Sequence, residues 1–254
     1  MFKDGRPNGK GEITYKNSVP IAKVGDQFEL AKYIGNFSCG KREGFGSMYW
    51  ADGSNFKGLW KNDLRHKGRM IMPNGCVYEG EFKNDLFSGI KCKLYLPSMI
   101  IFEGSFDNGI ASNIGCMLYP NGEVYLGQHS QFERNGLGKQ ILLDGGYYEG
   151  GWEQDKMQGS HCKEFNSTYN QIYVGPFESN RKQGNGAMLD LNEQEIYEGE
   201  FGGDKRNGQG TLYHRDGKVF SVQFKHGSVE GGLTFKRIMT KAETIRKFKE
   251  AIKG

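Results

Sequence analysis

The sequence predicts an all-β protein: an elongated, single-layer antiparallel β-solenoid of stacked hairpins, followed by a short C-terminal α-helix. Three observations predict it. Glycine makes up 39 of the 254 residues, about twice its ordinary share of ~7%. Aromatic residues reach 13% although apolar residues total only 36%, a balance typical of short strands, tight turns and a core of stacked rings. The third observation is an internal repeat of about 23 residues.

An aromatic residue recurs every 22 to 25 residues and marks position 1 of each copy. Position 3 is glycine in eight of nine copies and position 5 is aromatic in eight, the exceptions being Val222 and His129. In a strand these three positions share one face, so each glycine leaves room between two rings. One copy cannot bury such a face alone, and stacking is expected. The copies begin at Tyr33, Phe56, Tyr78, Phe102, Tyr125, Tyr148, Tyr173, Tyr197 and Phe220.

Each copy carries the signals of one β-hairpin. After a predicted turn of about five polar residues, a second strand follows, and in several copies it contains Gly-x-Gly, as at Gly44/Gly46 and Gly208/Gly210. An Asp-Gly or Asn-Gly pair then turns the chain into the next copy. These pairs are Asp52-Gly53, Asn74-Gly75, Asn121-Gly122, Asp144-Gly145 and Asp216-Gly217.

Two segments lie outside the regular copies. Residues 1–15 supply the second half of an earlier copy, and residues 16–32 are interpreted as a loop insertion. The copies end near residue 235, which predicts one repeat ribbon over residues 1–235 and a helix over residues 236–254.

The C-terminal segment has the signals of an amphipathic helix. Thr240 and Glu243 fit a capping box. The apolar stripe that follows predicts contacts through Ile245, Phe248 and Ile252. Two interpretations stay open: the helix covers the last strand of the sheet, or it docks on a partner or an anionic membrane surface.

Composition and motif spacing argue against catalysis, nucleic-acid binding and secretion. The net charge of +4 is too small to predict a nucleic-acid partner, and the first residues contain no apolar segment of a signal peptide. The glycine-rich segment Gly5–Gly11 lacks the spacing and the Ser/Thr of a phosphate-binding loop. The histidines occupy unrelated repeat positions, so no catalytic, cofactor-binding or metal-ligating set is predicted. A cytoplasmic, non-enzymatic protein is expected.

The five cysteines are expected to be reduced thiols. Cys92, Cys116 and Cys162 share one repeat position, and equivalent residues of adjacent copies should lie ~10 Å apart. A disulfide needs its Cα atoms within ~7 Å. Cys92 and Cys116 are therefore predicted to be unpaired.

Basic residues recur on the predicted hairpin turns, at position 10 of most copies and beside it, with interruptions at Phe87, Ala111 and Met157. Copies in register would line these charges along one edge, where they could bind acidic tubulin tails or phospholipid headgroups. Ordinary solvated turn residues are the alternative. The candidates are Lys41, Arg42, Arg65, Arg134, Arg181, Lys182, Lys205 and Arg206.

The aromatic face is a second candidate surface. A one-layer sheet has no second layer to cover its rings, so a partner could dock on them; a self-contained ring core is the alternative. His129 replaces the ring of its copy and is predicted to mark a notch in this face. The candidate partner-binding residues are Trp60, Phe82, Phe106, His129, Trp152 and Phe177.

The pattern Tyr-x-Gly-x-(Trp/Phe), a polar turn, Gly-x-Gly and a run ending in Asn-Gly or Asp-Gly resembles the MORN (membrane occupation and recognition nexus) repeat. The resemblance covers Tyr33 to about Phe235. The copies around Gly68, Gly89 and Gly115 lack an intact Gly-x-Gly, which bears on their strand geometry. The resemblance implies a scaffold that binds other proteins, because MORN-repeat proteins include radial-spoke and other ciliary components and parasite cytoskeletal scaffolds.

Two functions follow from the resemblance. The first is a non-enzymatic structural scaffold in a cytoskeletal assembly, with the ciliary or flagellar axoneme favoured by family frequency rather than by any residue. The second is a peripheral phospholipid-binding module, a role that MORN repeats have in junctophilins. It would depend here on the basic turns and the C-terminal helix. A methyltransferase of this family would need a SET domain, for which the repeats leave no room.

Overall fold

The computed structural model of the protein describes residues 2–15 and 30–253. Most of the loop insertion predicted over residues 16–32 lies outside the described residues. So do the side chains of Leu30, Ala31, Ile252 and Lys253. The chain forms two compact units, Met1–Pro120 and Asn121–Gly254.

The first unit is an antiparallel meander. Its described strands are β1 (Phe2–Lys3), β2 (Arg6–Pro7), β3 (Gly9–Thr14), β4 (Leu30–Ser38), β5 (Lys41–Trp50), β6 (Asn55–Lys61), β7 (Leu64–Ile71), β8 (Val77–Lys83), β9 (Leu86–Tyr95), β10 (Ile101–Asp107) and β11 (Ile110–Leu118). From β3 to β11, each strand pairs antiparallel with the next one in the chain. β1 and β2 pair with each other.

The second unit repeats this arrangement and ends in a helix. Its described elements are β12 (Val124–Ser130), β13 (Glu133–Ile141), β14 (Tyr147–Glu153), β15 (Lys156–Asn166), β16 (Gln171–Glu178), β17 (Arg181–Lys182), β18 (Gly184–Asp190), β19 (Glu195–Gly202), β20 (Lys205–His214), β21 (Lys218–Lys225), β22 (Ser228–Ile238) and α1 (Lys241–Lys253). Chain neighbours again pair antiparallel, and β17 and β18 both pair with β16.

Each regular copy forms one hairpin, which confirms the predicted antiparallel stack of hairpins. The hairpin turn has two residues, not the five or so that the sequence predicted. At Asn84–Asp85, for example, the flanking Lys83 and Leu86 already pair. Both turn residues have positive φ, 50° and 61°, as in the type I′ turn whose twist matches that of the flanking strands. The rest of the polar run belongs to the strands.

The Asp-Gly and Asn-Gly turns between copies are confirmed. At Asn74-Gly75, Gly75 has a φ of 84°, which favours glycine. The Asn74 side chain accepts a hydrogen bond from the backbone N–H of Cys76 at 3.0 Å. Equivalent side-chain bonds close the turns at Asp52, Asn121, Asp144 and Asp216.

The core lies on one face of each sheet, the core face; the opposite face is the reverse face. Positions 1 and 5 point to the core face, and eight of the nine position-1 rings are at most 4% exposed. A position-1 ring lies edge-on to the position-5 ring of the next copy, as Tyr33 does to Trp60 at 5.4 Å between centroids. Such pairs contribute about 0.5–1.5 kcal/mol each beyond area burial. Interlocking rings therefore form the core of each unit.

Candidate binding surfaces

The rings predicted to bind a partner lie in the core. Their exposed fractions are between 3% and 7%, so a partner could reach them only if neighbouring copies separated. This burial supports the alternative of a self-contained ring core, and partner binding by these rings stays a prediction. The six side chains are Trp60, Phe82, Phe106, His129, Trp152 and Phe177.

The notch predicted at His129 is filled. The ring of Phe132 stacks on the imidazole, with 5.5 Å between ring centroids and 15° between ring planes. Phe132 is a hairpin-turn residue with a φ of 66°, a conformation that a bulky residue rarely adopts. The turn thus supplies the ring that position 5 lacks in this copy.

The position-10 arginines are not free charges on an edge. Arg65 donates from Nε to Asp85 Oδ1 at 3.0 Å and from Nη2 to the Asp85 carbonyl oxygen at 2.8 Å. Its guanidinium lies over the Phe82 ring, 5.0 Å from the centroid. Asp85 belongs to the hairpin turn of the next copy, so one arginine joins two copies. We call this arrangement the inter-repeat clamp.

The clamp recurs in both units. Arg42 binds Asp63 with its guanidinium 4.3 Å from the centroid of the Trp60 ring. Arg134 binds Asp155 in the same way. The other two position-10 cations are tied differently: Lys182 pairs with Glu164, and Arg206 with Glu195.

Five of the eight cations predicted to line a basic edge are therefore held in ion pairs with nearby carboxylates. The five position-10 side chains, at 11–19% exposed, bind carboxylates of their own unit. Of the eight candidates, Lys41, Arg181 and Lys205 are exposed residues. The sequence does contain a signal for the clamps. After each position-10 arginine except Arg206, an Asp stands at position 8 of the next copy.

Two copies without a clamp arginine carry a buried thiol. Where position 10 is Phe87 or Met157, the second strand carries Gly-x-x-Cys instead of Gly-x-Gly. The position-1 hydroxyl of Tyr78 donates a hydrogen bond to Cys92 Sγ at 3.1 Å, and Tyr148 does the same to Cys162. All five cysteines are unpaired, which confirms the prediction for Cys92 and Cys116.

Thiol labelling should distinguish the cysteines. Cys39 lies exposed in a hairpin turn, whereas Cys76, Cys92 and Cys162 are buried. Burial also raises the pKa of the half-buried Cys116 thiol, which lowers its thiolate fraction. We expect one fast-reacting thiol in the native protein with a disulfide reagent at pH 8, and loss of that phase in Cys39→Ser. Several equally fast thiols in the wild type would contradict this burial.

Alkaline pH should destabilise the protein. Burial raises the pKa of Tyr33 to about 12, although Arg42 nearby opposes the shift, and it also raises the pKa of Tyr78, Tyr148 and Tyr173. An unfolded tyrosine titrates near pH ~10. These groups therefore contribute stability that is complete below pH ~10 and is lost as pH rises through their folded pKa values. Tyrosinate absorbance should lag behind that of the unfolded chain; coincident titrations would contradict this.

An apolar row crosses the reverse face of each unit, one residue per strand in direct register. We call it the reverse-face row. In the first unit it comprises Tyr49, Ile71, Val77, Tyr95, Ile101 and Leu118, with Asn55 between the first two. In the second it comprises Val124, Ile141, Tyr147, Phe165, Ile172, Leu189, Ile196, Tyr213 and Val219. Sequence reasoning missed this row because it concentrated on positions 1 to 5.

The C-terminal helix covers one end of this row. α1 lies against β16 and β18, and Leu189 on β18 and Ile196 on the adjacent β19 are only 2% and 0% exposed. Lys247 pairs with Glu198 and lies 4.5 Å from the centroid of the Tyr213 ring. The helix thus packs on the reverse face of the sheet, not along the last strand as the covering interpretation expected.

The predicted capping box is present, but the contact face of α1 differs from the predicted stripe. Thr240 N–H donates to Glu243 Oε2 at 2.7 Å, and Glu243 N–H donates to Thr240 Oγ1 at 3.3 Å. Phe248 is half-buried as expected, whereas Ile245 is 46% exposed. The side chain of Ile252 lies outside the described residues.

The contact face of α1 differs from the predicted apolar stripe because a polar and a basic side chain take part in the contact. Thr244 is buried and donates to the Thr240 carbonyl oxygen at 3.0 Å. The Lys247 ammonium group pairs with Glu198 and lies over the Tyr213 ring at the same time, as a cation–π contact allows.

Thr240→Ala should lower the free energy of unfolding by about 1 kcal/mol, because the capping bond to Glu243 N–H is lost. Helical circular dichroism and a urea titration measure it. Lys241→Ala, at an exposed residue in the first turn, is the control and should change the free energy little. Equal losses in both variants would contradict a specific cap.

The described residues contain neither a metal-ligand cluster nor a helix that could cross a membrane. Across residues 2–15 and 30–253, no three His, Cys, Asp or Glu side chains come together as metal ligands would. No helix in the same part of the chain has the length and apolarity to span a bilayer.

Comparisons with solved structures return chains of low similarity. One is the TCP domain of SAS-4 (dCPAP) from Drosophila melanogaster in complex with a proline-rich motif of Ana2: 12% identity over 76% of this chain and 90% of that chain, with a TM-score of 0.33. Another is the TCP10 domain of Danio rerio CPAP with a STIL peptide: 11% identity over 76% and 94%, with a TM-score of 0.29. No curated protein matches the chain.

A family model matches the repeats themselves. The model of the MORN repeat matches seven segments, in the same register as the ring and glycine positions described above. They are residues 1–18, 33–55, 56–77, 78–90, 102–124, 148–160 and 197–219. Since these segments make up more than half of the chain, the protein belongs to the MORN-repeat family.

Proposed function

We propose that this protein is a non-enzymatic structural scaffold that binds other proteins in a cytoskeletal assembly. MORN repeats generally mediate protein or lipid binding. The observation that carries the proposal is the apolar reverse-face row of each unit: Leu118 is 40% exposed in the row of the first unit, and Ile141 is 39% exposed in that of the second. Exposed apolar side chains in a row are typical of interaction surfaces.

We further propose a place in the ciliary or flagellar axoneme, as a component similar to those of radial spokes. The occurrence of MORN repeats in such components supports it, and no single residue does. Acidic tubulin tails are partners that the exposed Lys41, Arg181 and Lys205 could bind.

Detergent fractionation of cells expressing the tagged full-length protein tests the scaffold. We expect the protein in the detergent-insoluble pellet, with release by high salt, because it would be held by protein contacts. Complete release by mild detergent from a membrane fraction would overturn the scaffold in favour of lipid binding.

Phospholipid binding is the second candidate, favoured by the outer face of α1. Lys241, Arg246 and Lys249 are exposed there beside Ile245, and such a basic face with an apolar residue suits an anionic interface. Flotation with phosphatidylcholine vesicles, with and without a phosphatidylinositol phosphate, tests it. Binding that depends on the anionic lipid and is lost in the triple variant Lys241→Glu, Arg246→Glu and Lys249→Glu would support it; equal flotation with both vesicles would count against it.

A further inference from the structure

The reverse-face row of the second unit is occupied by α1 over only part of its length. Thr244, near the start of the helix, lies by the turn before β21, where a Cβ on Gly217 would stand 3.4 Å from its hydroxyl oxygen. Lys247 then reaches β19 and β20, and the helix lies against β18 and β16. The helix axis therefore runs across the strands. Thirteen residues give a length of about 20 Å, and four strand spacings give about 19 Å.

The row continues past the helix. From Ile172 on β16, the strand register leads to Phe165, Tyr147, Ile141 and Val124 on β15, β14, β13 and β12. Leu126, on the same face one strand from Lys139, is 46% exposed. We call Val124, Leu126, Ile141, Tyr147 and Phe165 the open stretch. It spans four strands, or three strand spacings of about 14 Å in all, against four spacings for the part that α1 covers.

We infer that the open stretch binds an amphipathic α-helix of a partner protein, about ten residues long and in line with α1. Continuity with α1 indicates this occupant, because the same row, on the same face of the same unit, is already covered by an amphipathic helix that crosses the strands. A helix of this length fits the span of four strands. This inference deepens the proposed scaffold function and rests on it.

The charges specify the partner further. At the α1 site, Ala187 lies opposite Glu198 on the neighbouring strand, and Lys247 of the helix supplies the cation. In the open stretch, Glu149 occupies the same repeat position as Glu198, but the sheet supplies the cation itself: Lys139 Nζ lies 3.1 Å from the Glu149 carboxylate.

The same ammonium group lies 4.3 Å from the centroid of the Tyr147 ring. A docked helix therefore needs no basic residue at this point and should present apolar residues. A basic helix such as α1 of a second copy would place its Lys247 beside Lys139, and like charges disfavour that pairing.

Site-specific photo-crosslinking tests the inference. The tagged full-length protein in cells carries benzoylphenylalanine at residue 124, which pairs directly with Ile141, and the crosslinked residue of the captured protein is mapped by mass spectrometry. We expect it in a segment with apolar residues at helical i, i+3 and i+4 spacing and without a central Lys or Arg. Ile141→Asp should reduce the crosslink about tenfold or more, because a carboxylate would be buried in an apolar contact.

Leu137→Asp is the matched control. Leu137 lies on the same strand and face, is 70% exposed, and stands four residues from Ile141, or about 13 Å along the strand. In Leu137→Asp, the crosslink from the probe should stay within about twofold of the wild-type level, since Leu137 lies outside the open stretch. Thermal unfolding of both variants checks that neither loses the fold.

Five results would overturn the inference: no crosslink, a crosslink to a second copy, a crosslink to lipid, a crosslink to an extended segment, or equal loss in both variants. Fractionation of the same cells separates this failure from that of the scaffold. If the wild type and Ile141→Asp both stay in the insoluble pellet without the expected crosslink, the scaffold holds by another surface. If the wild type leaves the pellet, the proposed function itself fails.

Discussion

Gly199→Ala is expected to lower the free energy of unfolding by about 3 kcal/mol, as overpacking in a tightly filled core does. Gly199 pairs with Gly186 on one neighbouring strand and Gly210 on the other. The ring of Tyr197 lies over this glycine. A Cβ at residue 199 would stand 2.6 Å from Tyr197 Cζ and 2.7 Å from the Gln209 carbonyl oxygen, which is closer than real Cβ contacts.

Neither neighbour can move away cheaply. The Tyr197 hydroxyl donates to the Glu200 carbonyl oxygen at 3.1 Å, and its ring lies edge-on to Phe201 and Phe224 at 5.4 and 5.2 Å. Displacing the ring would uncover both partners. The Gln209 carbonyl belongs to a paired strand, so displacing it would distort the ladder on β20.

Gly202→Ala on the same strand is the control. The nearest atom to its added Cβ would be Asn207 Nδ2 at 3.5 Å, an ordinary contact. We expect a change within about 0.5 kcal/mol, as for surface substitutions away from special features. Urea titrations of both variants measure the difference, and similar losses would mean that the ring does not require the glycine.

The sequence predicted the core face because its constraints repeat. Rings at positions 1 and 5 and glycine at position 3 recur in step, and each copy repeats the same steric problem of a ring folded over a glycine. Tyr197 and Gly199 are one instance of that problem. The hairpin stack follows from such repetition without knowledge of the neighbours.

The clamps and the reverse-face row were missed for a different reason. Asp85 reads as a turn residue, and its bond to Arg65 joins residues 20 positions apart, so only the turn geometry reveals it. Tyr147 and Phe165 face each other across a hairpin, and neither falls in the five-residue motif. The contact face of α1 was misjudged because apolar periodicity ignored Thr244, which is buried, and Lys247, which pairs with Glu198.

Asp85→Asn is expected to cost about 2 kcal/mol, the second largest effect. The Asp85 carboxylate accepts hydrogen bonds from both Nε and the backbone N–H of Arg65, and bonds to charged groups contribute about 1.5–3 kcal/mol. Asparagine tolerates the φ of 61° at this turn, so the backbone should stay as it is. The loss of stability then measures the contribution of the Asp85 charge. The Arg65 side chain is only 15% exposed, so water cannot fully solvate its guanidinium in place of the carboxylate.

A second substitution tests whether the clamp acts as a pair. The chain contains a neutral version of it: Met157 stands at position 10, and the backbone N–H of Met157 donates to Asn180 Oδ1 at 2.7 Å. Arg65→Met with Asp85→Asn would copy that pair, removing the cation together with the carboxylate. We therefore expect the double variant to be less destabilised than the sum of the single variants, by a coupling of about 1–2 kcal/mol.

The single variants should also differ from each other. Asp85 is 41% exposed, so water can solvate its carboxylate in Arg65→Met. The electrostatic part of the loss in free energy of unfolding is therefore smaller in Arg65→Met than in Asp85→Asn. Urea titrations of the four proteins at low and high salt measure the cycle, with the coupling expected to shrink as salt screens the pair. If the losses are additive and do not change with salt concentration, Arg65 stabilises the stack by lying on Phe82 and not by binding the next copy.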